Sequence, residues 1–276
     1  MAVAFNRILI PVDFSLNTDT AVTKAIGLAG TDEAVIHLLH VVRPGRKAST
    51  QFRAWVVERD LHQLKYDIEQ ANPNIRVKTN VLRGYSVQQT IIECAAMLSP
   101  DLIIFGKQNN HRRWLFSRQI SPDVVAKKSN CAVLTAKPGS IDSRTRIIVL
   151  PIRNFLPERK LEWAVLLAKK YKAQVHLLAI GENAGQKDGL LPQVFSIAYH
   201  QLREKLHHPI EYSAATHRHP AKAALSYAEL IMADMIVVNP YTESGISGFT
   251  GFRHLSDLLK RDSKIQVLDV EPYKSN

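Results

Sequence analysis

Two residues in the first half of the chain could bind a ligand where predicted strands end. Asp13 comes directly after the apolar run 8–12, and Gly106 ends the apolar run 102–106. A carboxylate after a buried strand can accept hydrogen bonds from a ribose or a base, and a glycine lets the backbone approach a phosphate. Asp13 could instead cap the helix that is predicted to begin near Asn17, or organise the turn before it. The sequence leaves both interpretations of Asp13 open.

The second half carries a glycine-rich segment from Ser244 to Gly251, before a helix predicted at 253–261. Such a segment could form a nest of backbone N–H groups that binds an anion at a helix N-terminus. Arg153, Arg253 and His254 could add charge-assisted hydrogen bonds to phosphate or sulfate if the fold brings them together. The alternative is a surface loop with solvated basic side chains. The residues of this candidate anion site are Gly245, Ser247, Gly248, Gly251, Arg153, Arg253 and His254.

Other constellations favour structural roles over chemistry. His217 and His219 have no carboxylate or thiolate at ligand spacing, so no metal site is predicted. The basic and aromatic segment Arg112–Trp114 could contact nucleic acid, but no nucleic-acid-binding motif accompanies it, and nucleic acid is not expected as a partner. Motifs such as G-x-S-x-G and H-E-x-x-H are missing from the sequence, and no paired carboxylates suited to acid/base catalysis are evident. Binding is therefore favoured over catalysis.

Length and composition set the class of protein. The 276 residues are enough for two domains, and 46% hydrophobic with 22% charged residues excludes disordered, collagen-like and disulfide-rich chains. No run approaches the roughly 20 apolar residues of a membrane helix, and no secretory signal pattern is present, so a cytoplasmic location is expected. The net charge of +11 would attract phosphate-bearing partners. Cys94 and Cys131 lack C-x-x-C spacing and are expected to be buried thiols.

An internal repeat divides the chain. Its matched segments are Ile8–Val12 with Ile148–Ile152, Val35–Leu39 with Gln174–Leu178, and Asp101–Phe105 with Asp234–Val238. The members of each pair lie 133 to 140 residues apart. A short Pro/Gly/Ser stretch at 137–143 is typical of a linker. The repeat therefore predicts one domain over 1–140 and a second, more divergent one over 141–276.

Each half alternates short apolar runs with helical patterns. Near-continuous apolar runs indicate parallel strands that are covered on both faces, so each half is predicted to be a doubly wound α/β domain with a five-stranded parallel sheet. The predicted strands are 6–12, 34–42, 75–82, 101–106 and 131–136, then 145–151, 173–180, 209–216, 234–239 and 265–270. The predicted helices are 17–30, 50–71, 85–98 and 119–128, then 157–170, 190–206, 219–232 and 253–261.

The whole chain resembles a tandem universal stress protein. The resemblance lies in Pro11-Val12-Asp13 at the end of strand one, Leu38–Val42, Gly84 before a helix, Asp101–Gly106, and Cys131–Leu134, and the second half repeats this order more loosely. It implies two Rossmann-like domains of the adenine nucleotide alpha hydrolase-like type. It also implies an intramolecular pseudo-dimer through the edge strands at 131–136 and 265–270, and it leaves further homodimerisation open.

ATP-binding members of that family carry a loop of the form Gly, two residues, Gly, nine residues, Gly, then Ser or Thr. The corresponding positions in the first half are Gly106, Asn109, Gln119 and Ile120, so three of the four depart from the pattern. In the second half, Arg153 and Asn239 replace the aspartate and the first glycine, respectively. The resemblance therefore favours a non-catalytic stress-response protein with degenerate nucleotide-binding loops. Such a protein would act through protein partners or a small anionic ligand.

The alternative is an ATP-binding stress sensor with slow or no hydrolysis. Weak ATPase is the one activity that the resemblance suggests, and no residue is assigned as its base. ATP would be the ligand of the first half in this alternative. The residues that would frame it are Pro11, Val12, Asp13, Val41, Phe105 and Gly106 around adenosine, and Asn109, Gln119, Ile120 and Ser121 around the phosphates.

Overall fold

The chain folds into two compact units, residues 1–136 (unit 1) and 137–276 (unit 2). The computed structural model describes residues 5–29, 34–44, 47–107, 120–141, 144–181, 190–243, 245–248, 251–260 and 262–271. Among these residues, no helix is both long and apolar enough to cross a membrane.

Unit 1 alternates strands and helices along the chain. Its elements are β1 (Arg7–Pro11), α1 (Leu16–Leu28), β2 (Ala34–Val42), α2 (Lys47–Ala71), β3 (Ile75–Arg83), α3 (Val87–Leu98), β4 (Leu102–Gly106), α4 (Pro122–Ser129) and β5 (Ala132–Ala136). The strands lie in the order β3, β2, β1, β4, β5, and each neighbouring pair is parallel. The strand order reverses between β1 and β4, as in a doubly wound sheet.

Unit 2 repeats this architecture and adds a hairpin. Its elements are β6 (Ile147–Ile152), α5 (Glu158–Tyr171), β7 (Gln174–Gly181), α6 (Leu191–Lys205), β8 (Ile210–Thr216), α7 (Pro220–Leu230), β9 (Met235–Val238), β10 (Gly245–Gly248), β11 (Gly251–His254), α8 (Leu255–Leu258) and β12 (Gln266–Asp269). The parallel strands lie in the order β12, β9, β6, β7, β8. The sequence prediction missed β10 and β11, and it extended α8 over 253–261.

The central strands are apolar because both of their faces are covered. Ile8, Leu9 and Ile10 of β1 are fully buried, and so are residues 148–150 of β6. A strand that is covered on both faces cannot alternate polar with apolar side chains. This pattern is what the apolar runs predicted, and the predicted α/β fold with parallel sheets is confirmed.

One aspartate in each unit fixes the start of the central strand. Asp101 accepts hydrogen bonds from the backbone N–H groups of Asn6 and Arg7, with N···O distances of 2.9 and 2.8 Å. Asp234 accepts them in the same way from Arg146 and Ile147, at 2.7 and 3.0 Å. The repeated aspartate therefore lies at the amino end of the sheet and is structural.

The two cysteines are free and buried, as predicted. Burial raises the pKa of the Cys94 thiol. The Cys131 thiol donates to the backbone carbonyl of Pro100, with an S···O distance of 3.2 Å. A buried, protonated thiol is a poor nucleophile.

Two histidines on equivalent strands have a pKa below the ordinary value. Burial lowers the pKa of His37 on β2, and the positive charges of Lys78 and Arg7 lower it further. Burial also lowers the pKa of His176 on β7, and Glu211 opposes that shift. The His176 ring contacts the Tyr227 hydroxyl, with an Nδ1···O distance of 3.2 Å.

Replacing Asp234 by Ala should lower the free energy of unfolding by about 2 kcal/mol, because two backbone N–H groups lose their acceptor in a largely buried place. Asp101→Ala should cost less, since Asp101 is exposed and water can replace its carboxylate. Urea unfolding of both variants measures the difference. Equal urea midpoints for Asp234→Ala and the wild type would show that the aspartate does not hold β6.

The folded protein should lose stability as the pH falls below about 6.5, because unfolded histidine takes up a proton there while folded His37 resists protonation. His37→Gln stays uncharged and should show a smaller drop in urea midpoint between about pH 7.5 and about pH 5.5. An unchanged pH dependence in this variant would contradict the assignment to His37.

Candidate functional site

The parallel register brings the predicted residues of unit 1 to one edge of the sheet. Pro11 pairs with Leu39, so Asp13 is level with Val41 one strand away. Ile8 pairs with Leu102, so Val12 is level with Gly106. Neighbouring strands lie about 4.8 Å apart, and ligands of open α/β sheets bind beyond the carboxyl ends at the reversal of strand order. This edge is therefore the candidate ligand site of unit 1.

Asp13 organises the turn between β1 and α1. Its Oδ1 accepts hydrogen bonds from the Ser15 N–H (3.1 Å), the Ser15 hydroxyl (2.6 Å) and the Thr18 hydroxyl (3.0 Å). Partial burial would raise the pKa of Asp13, but the hydrogen bonds from Ser15, Thr18 and Asn17 outweigh it and hold the pKa below its ordinary value. The helix cap itself is Ser15, whose hydroxyl accepts from the Asn17 N–H. Asp13 nevertheless remains exposed at the edge.

Gly106 is required by packing inside unit 1. A Cβ at this position would lie 1.9 Å from the backbone oxygen of Asn17, at the start of α1. No side chain fits there unless α1 moves away from β4. The packing of α1 therefore explains why position 106 is a glycine, and phosphate binding is not needed to explain it.

The structure describes only some of the residues that were predicted to lie around the phosphates of ATP. Asn109 and Gln119 lie outside the described residues, as do Arg112–Trp114. Ile120 and Ser121 precede α4, and the Ser121 N–H donates to the Gln88 side chain at 2.8 Å. The Ser121 hydroxyl donates to Asp123 in the first turn of α4.

An aromatic pair that the sequence prediction missed stands beside this edge. Phe14 has a left-handed backbone with φ of 54° and is 42% exposed. Its ring lies 5.4 Å from that of His40, whose Nδ1 contacts the Val12 carbonyl at 2.8 Å. A left-handed conformation is rare for a bulky residue and signals local strain. The hydrogen bonds of Asp13 to the following turn explain how the strained backbone persists.

Unit 2 closes its corresponding edge with a buried ion pair. Lys160, in the first turn of α5, donates to the Glu243 carboxylate at 2.6 Å and to the Pro151 carbonyl, and both charged side chains are at least 99% buried. Burial lowers the pKa of Lys160, Glu243 opposes this shift, and the nearby Arg153 adds to it. Glu243 also accepts from the Asn239 N–H at 3.1 Å. The sequence prediction missed this pair because its members lie 83 residues apart.

Within the glycine-rich segment that was predicted to form an anion-binding nest, β10 and β11 pair as a β-hairpin. Gly245 pairs with His254, and Ser247 pairs with Phe252, in antiparallel strands. Gly248 pairs with Gly251. Part of the backbone of these residues is therefore paired within the hairpin.

His254, which was predicted to hold an anion, has hydrogen-bond partners within unit 2. His254 is buried, and its Nε2 lies 3.0 Å from both carboxylate oxygens of Asp269. Its Nδ1 contacts the Ser256 hydroxyl at 2.7 Å. The same nitrogen accepts from the Ser256 N–H, so the His254 side chain caps α8. Both ring nitrogens are therefore engaged within unit 2. Arg253 is exposed on the hairpin.

The described residues contain no cluster of three or more His, Cys, Asp or Glu side chains that could hold a metal ion. His217 Nδ1 accepts from the backbone N–H of His219 at 2.9 Å, so these two histidines organise the turn before α7.

Comparison with known proteins agrees with this fold. Residues 4–137 match the sequence model of the universal stress protein family. None of the curated proteins compared with the chain matches it. A universal stress protein from Archaeoglobus fulgidus DSM 4304 has a similar structure, with a TM-score of 0.62 and 18% identity over 96% of each chain.

Two further solved structures share the fold over nearly the whole chain. A protein from Pseudomonas aeruginosa UCBPP-PA14 described as a universal stress protein has a TM-score of 0.60 and 19% identity, over 97% of this chain and 94% of its own. The cytoplasmic domain of a prokaryotic cation chloride cotransporter has a TM-score of 0.56 and 14% identity, over 99% of this chain and 98% of its own. At these identities, the likeness establishes the fold alone.

Gly106→Ala should lower the free energy of unfolding by about 1–3 kcal/mol or more, because the added Cβ meets backbone. Gly27→Ala is the matched control, since a Cβ added at that position in α1 would meet nothing within 4 Å. That control should be neutral or stabilising by up to about 1 kcal/mol. Urea unfolding without any ligand compares the two, and equal midpoints would show that Gly106 is not needed for packing.

Proposed function

Since the first unit of the chain belongs to the universal stress protein family, we propose that the protein is a cytoplasmic, non-catalytic tandem member of that family with degenerate nucleotide-binding loops. It acts through protein partners or a small anionic ligand. Unit 2 is the second, more divergent domain of the tandem. The observation that carries the proposal is the buried Lys160–Glu243 ion pair at the carboxyl edge of unit 2.

This ion pair supports a site that is closed to nucleotides. A nucleotide phosphate at this edge would have to displace the Glu243 carboxylate from Lys160 and from the Asn239 N–H. Breaking a buried pair leaves an uncompensated charge and is strongly unfavourable. The substitution of Asn239 for the first glycine of the family loop also favours a site that is closed to nucleotides.

Unit 1 supports the proposal less directly. Asp13 and Gly106 survive from the family pattern, but both have structural roles in the β1–α1 turn and in α1 packing. At least one of the family's phosphate-binding positions, Ile120, has lost its hydroxyl. These features favour weak nucleotide binding or none.

The second candidate function is an ATP-binding stress sensor that uses unit 1. The observation in its favour is the exposed carboxylate of Asp13, level with Val41 and beside the strand that ends at Gly106. A carboxylate placed there could accept hydrogen bonds from the ribose or base of an adenine nucleotide.

Calorimetric titration of the full chain with Mg-ATP separates the two candidates. Under the first, no saturable heat appears up to about 1 mM ligand, which corresponds to a binding free energy weaker than about −4 kcal/mol. Saturation at micromolar ATP that is lost in Asp13→Ala would establish the sensor instead. Ser15→Ala is the control, because it disturbs the same turn and the helix cap but keeps the carboxylate.

A further inference from the structure

Glu243 is held in unit 2 as a bound anion would be held. One oxygen, Oε2, accepts from the Lys160 ammonium at 2.6 Å and from the Asn239 backbone N–H at 3.1 Å. The side chains of Lys160 and Glu243 are 0% and 1% exposed. An ammonium and a backbone N–H that converge on one carboxylate oxygen form a charge-assisted anion site.

The surroundings of Glu243 favour negative charge. Lys160 lies in the first turn of α5, a helix of 14 residues whose N-cap residue, Pro157, supplies no side-chain cap. The N-terminal turn of a helix favours negative charge. Arg153 is close enough to depress the pKa of Lys160. The Lys160 ammonium, which the Glu243 carboxylate contacts, and its place at a helix N-terminus make the site suited to an anion.

Asn239 supplies an independent sign of a polar site. Its side chain is fully buried, and neither its amide nitrogen nor its amide oxygen has a hydrogen-bond partner among the described residues. Buried amides are nearly always hydrogen-bonded, so an unpartnered one marks a place for water or a ligand. By strand alternation after β9, the Asn239 side chain points to the α5 face of the sheet, where Lys160 lies.

A strained turn brings Glu243 into this position. Tyr241 has φ of 64°, and the Glu243 N–H donates to the Asn239 carbonyl at 3.2 Å. A bulky residue in the left-handed region persists only where other interactions determine it. The contact between Glu243 and Lys160 is such an interaction.

We infer that unit 2 contains an anion site built from Lys160, the Asn239 N–H and the first turn of α5, and that Glu243 occupies it as a tethered carboxylate ligand. When the Glu243 carboxylate is removed, the site takes small carboxylates such as acetate or formate in its place. This inference deepens the proposed function and rests on it, because it explains why the edge of unit 2 is closed to nucleotides.

The test is chemical rescue of Glu243→Ala in the full chain. The variant leaves Lys160 buried without a counter-charge and opens the space of a carboxylate, so its melting temperature should fall by about 10 °C. Sodium acetate or formate should restore more than half of that loss, compared with sodium chloride at equal ionic strength. The wild type should show no such difference between the salts.

Two control variants separate a specific site from a general salt effect. Glu243→Gln removes the charge but fills the space, so it should be destabilised and not rescued. Lys160→Met with Glu243→Ala removes the cation, so this double variant should melt above Glu243→Ala in chloride and gain nothing from acetate. Rescue of all three variants to the same extent, or of none, would overturn the inference.

The measurement remains decisive if Glu243→Ala does not fold in chloride. The variant is then refolded from urea in acetate and in chloride. Recovery in acetate alone supports the site, and recovery in neither, while the double variant folds, overturns it. Heat from Mg-ATP that depends on Asp13 would contradict the proposed function of unit 1 without affecting this result.

Discussion

The register between each central strand and its neighbour decides which residues reach the carboxyl edge of the sheet. In unit 1, Asp101 holds the first backbone N–H groups of β1 and pairs its own N–H with the Arg7 carbonyl at 2.8 Å. In unit 2, Asp234 does the same for β6, through the Ile147 carbonyl at 3.0 Å. A slip of one residue would turn each apolar side chain to the opposite face. An aspartate at the amino end of each sheet therefore fixes which residues reach its carboxyl edge.

The two units use this shared edge differently because their helices start at different points. In unit 1, α1 begins nine residues after the start of β1, and the backbone of Asn17 lies against Gly106. In unit 2, α5 begins eleven residues after the start of β6. The later start is accompanied by a full side chain at Asn239, the position that corresponds to Gly106. It also places Lys160 in the first turn of the helix, within reach of Glu243.

The parts of the fold that depend on local pattern could be predicted from the sequence. Apolar runs identified the parallel strands, and the repeated aspartate marked equivalent strands in both halves. The hairpin was missed because Gly245, Gly248 and Gly251 have low β-propensity, and glycine-rich segments are typical of loops. Its pairing depends on backbone hydrogen bonds, which the side-chain pattern does not reveal.

The buried polar contacts near the candidate sites could not be predicted, and there is one physical reason for this. Histidine, lysine and glutamate side chains are normally solvated. From the sequence alone, His254 was therefore expected to be available to a ligand, and Lys160 and Glu243 were not expected to be part of a buried site. Each of them is buried with an oppositely charged or hydrogen-bonding partner. Such pairing depends on contacts between residues distant in sequence, and the sequence of one chain does not show them. Asp13 was the opposite case, since its structural role involves only neighbouring residues and could be stated in advance.

The two edges differ in burial, and this difference determines at which edge a ligand could bind with the smaller free-energy penalty. Asp13 is exposed, so a ligand group that reaches it displaces water, and this exchange is nearly balanced in free energy. Glu243 is buried on Lys160, so an incoming anion must first separate two charges that have no access to water. Free anions in solution therefore compete poorly with a carboxylate that the chain itself holds at the site. The exposed edge of unit 1 is therefore easier for a soluble ligand to reach than the buried pair in unit 2.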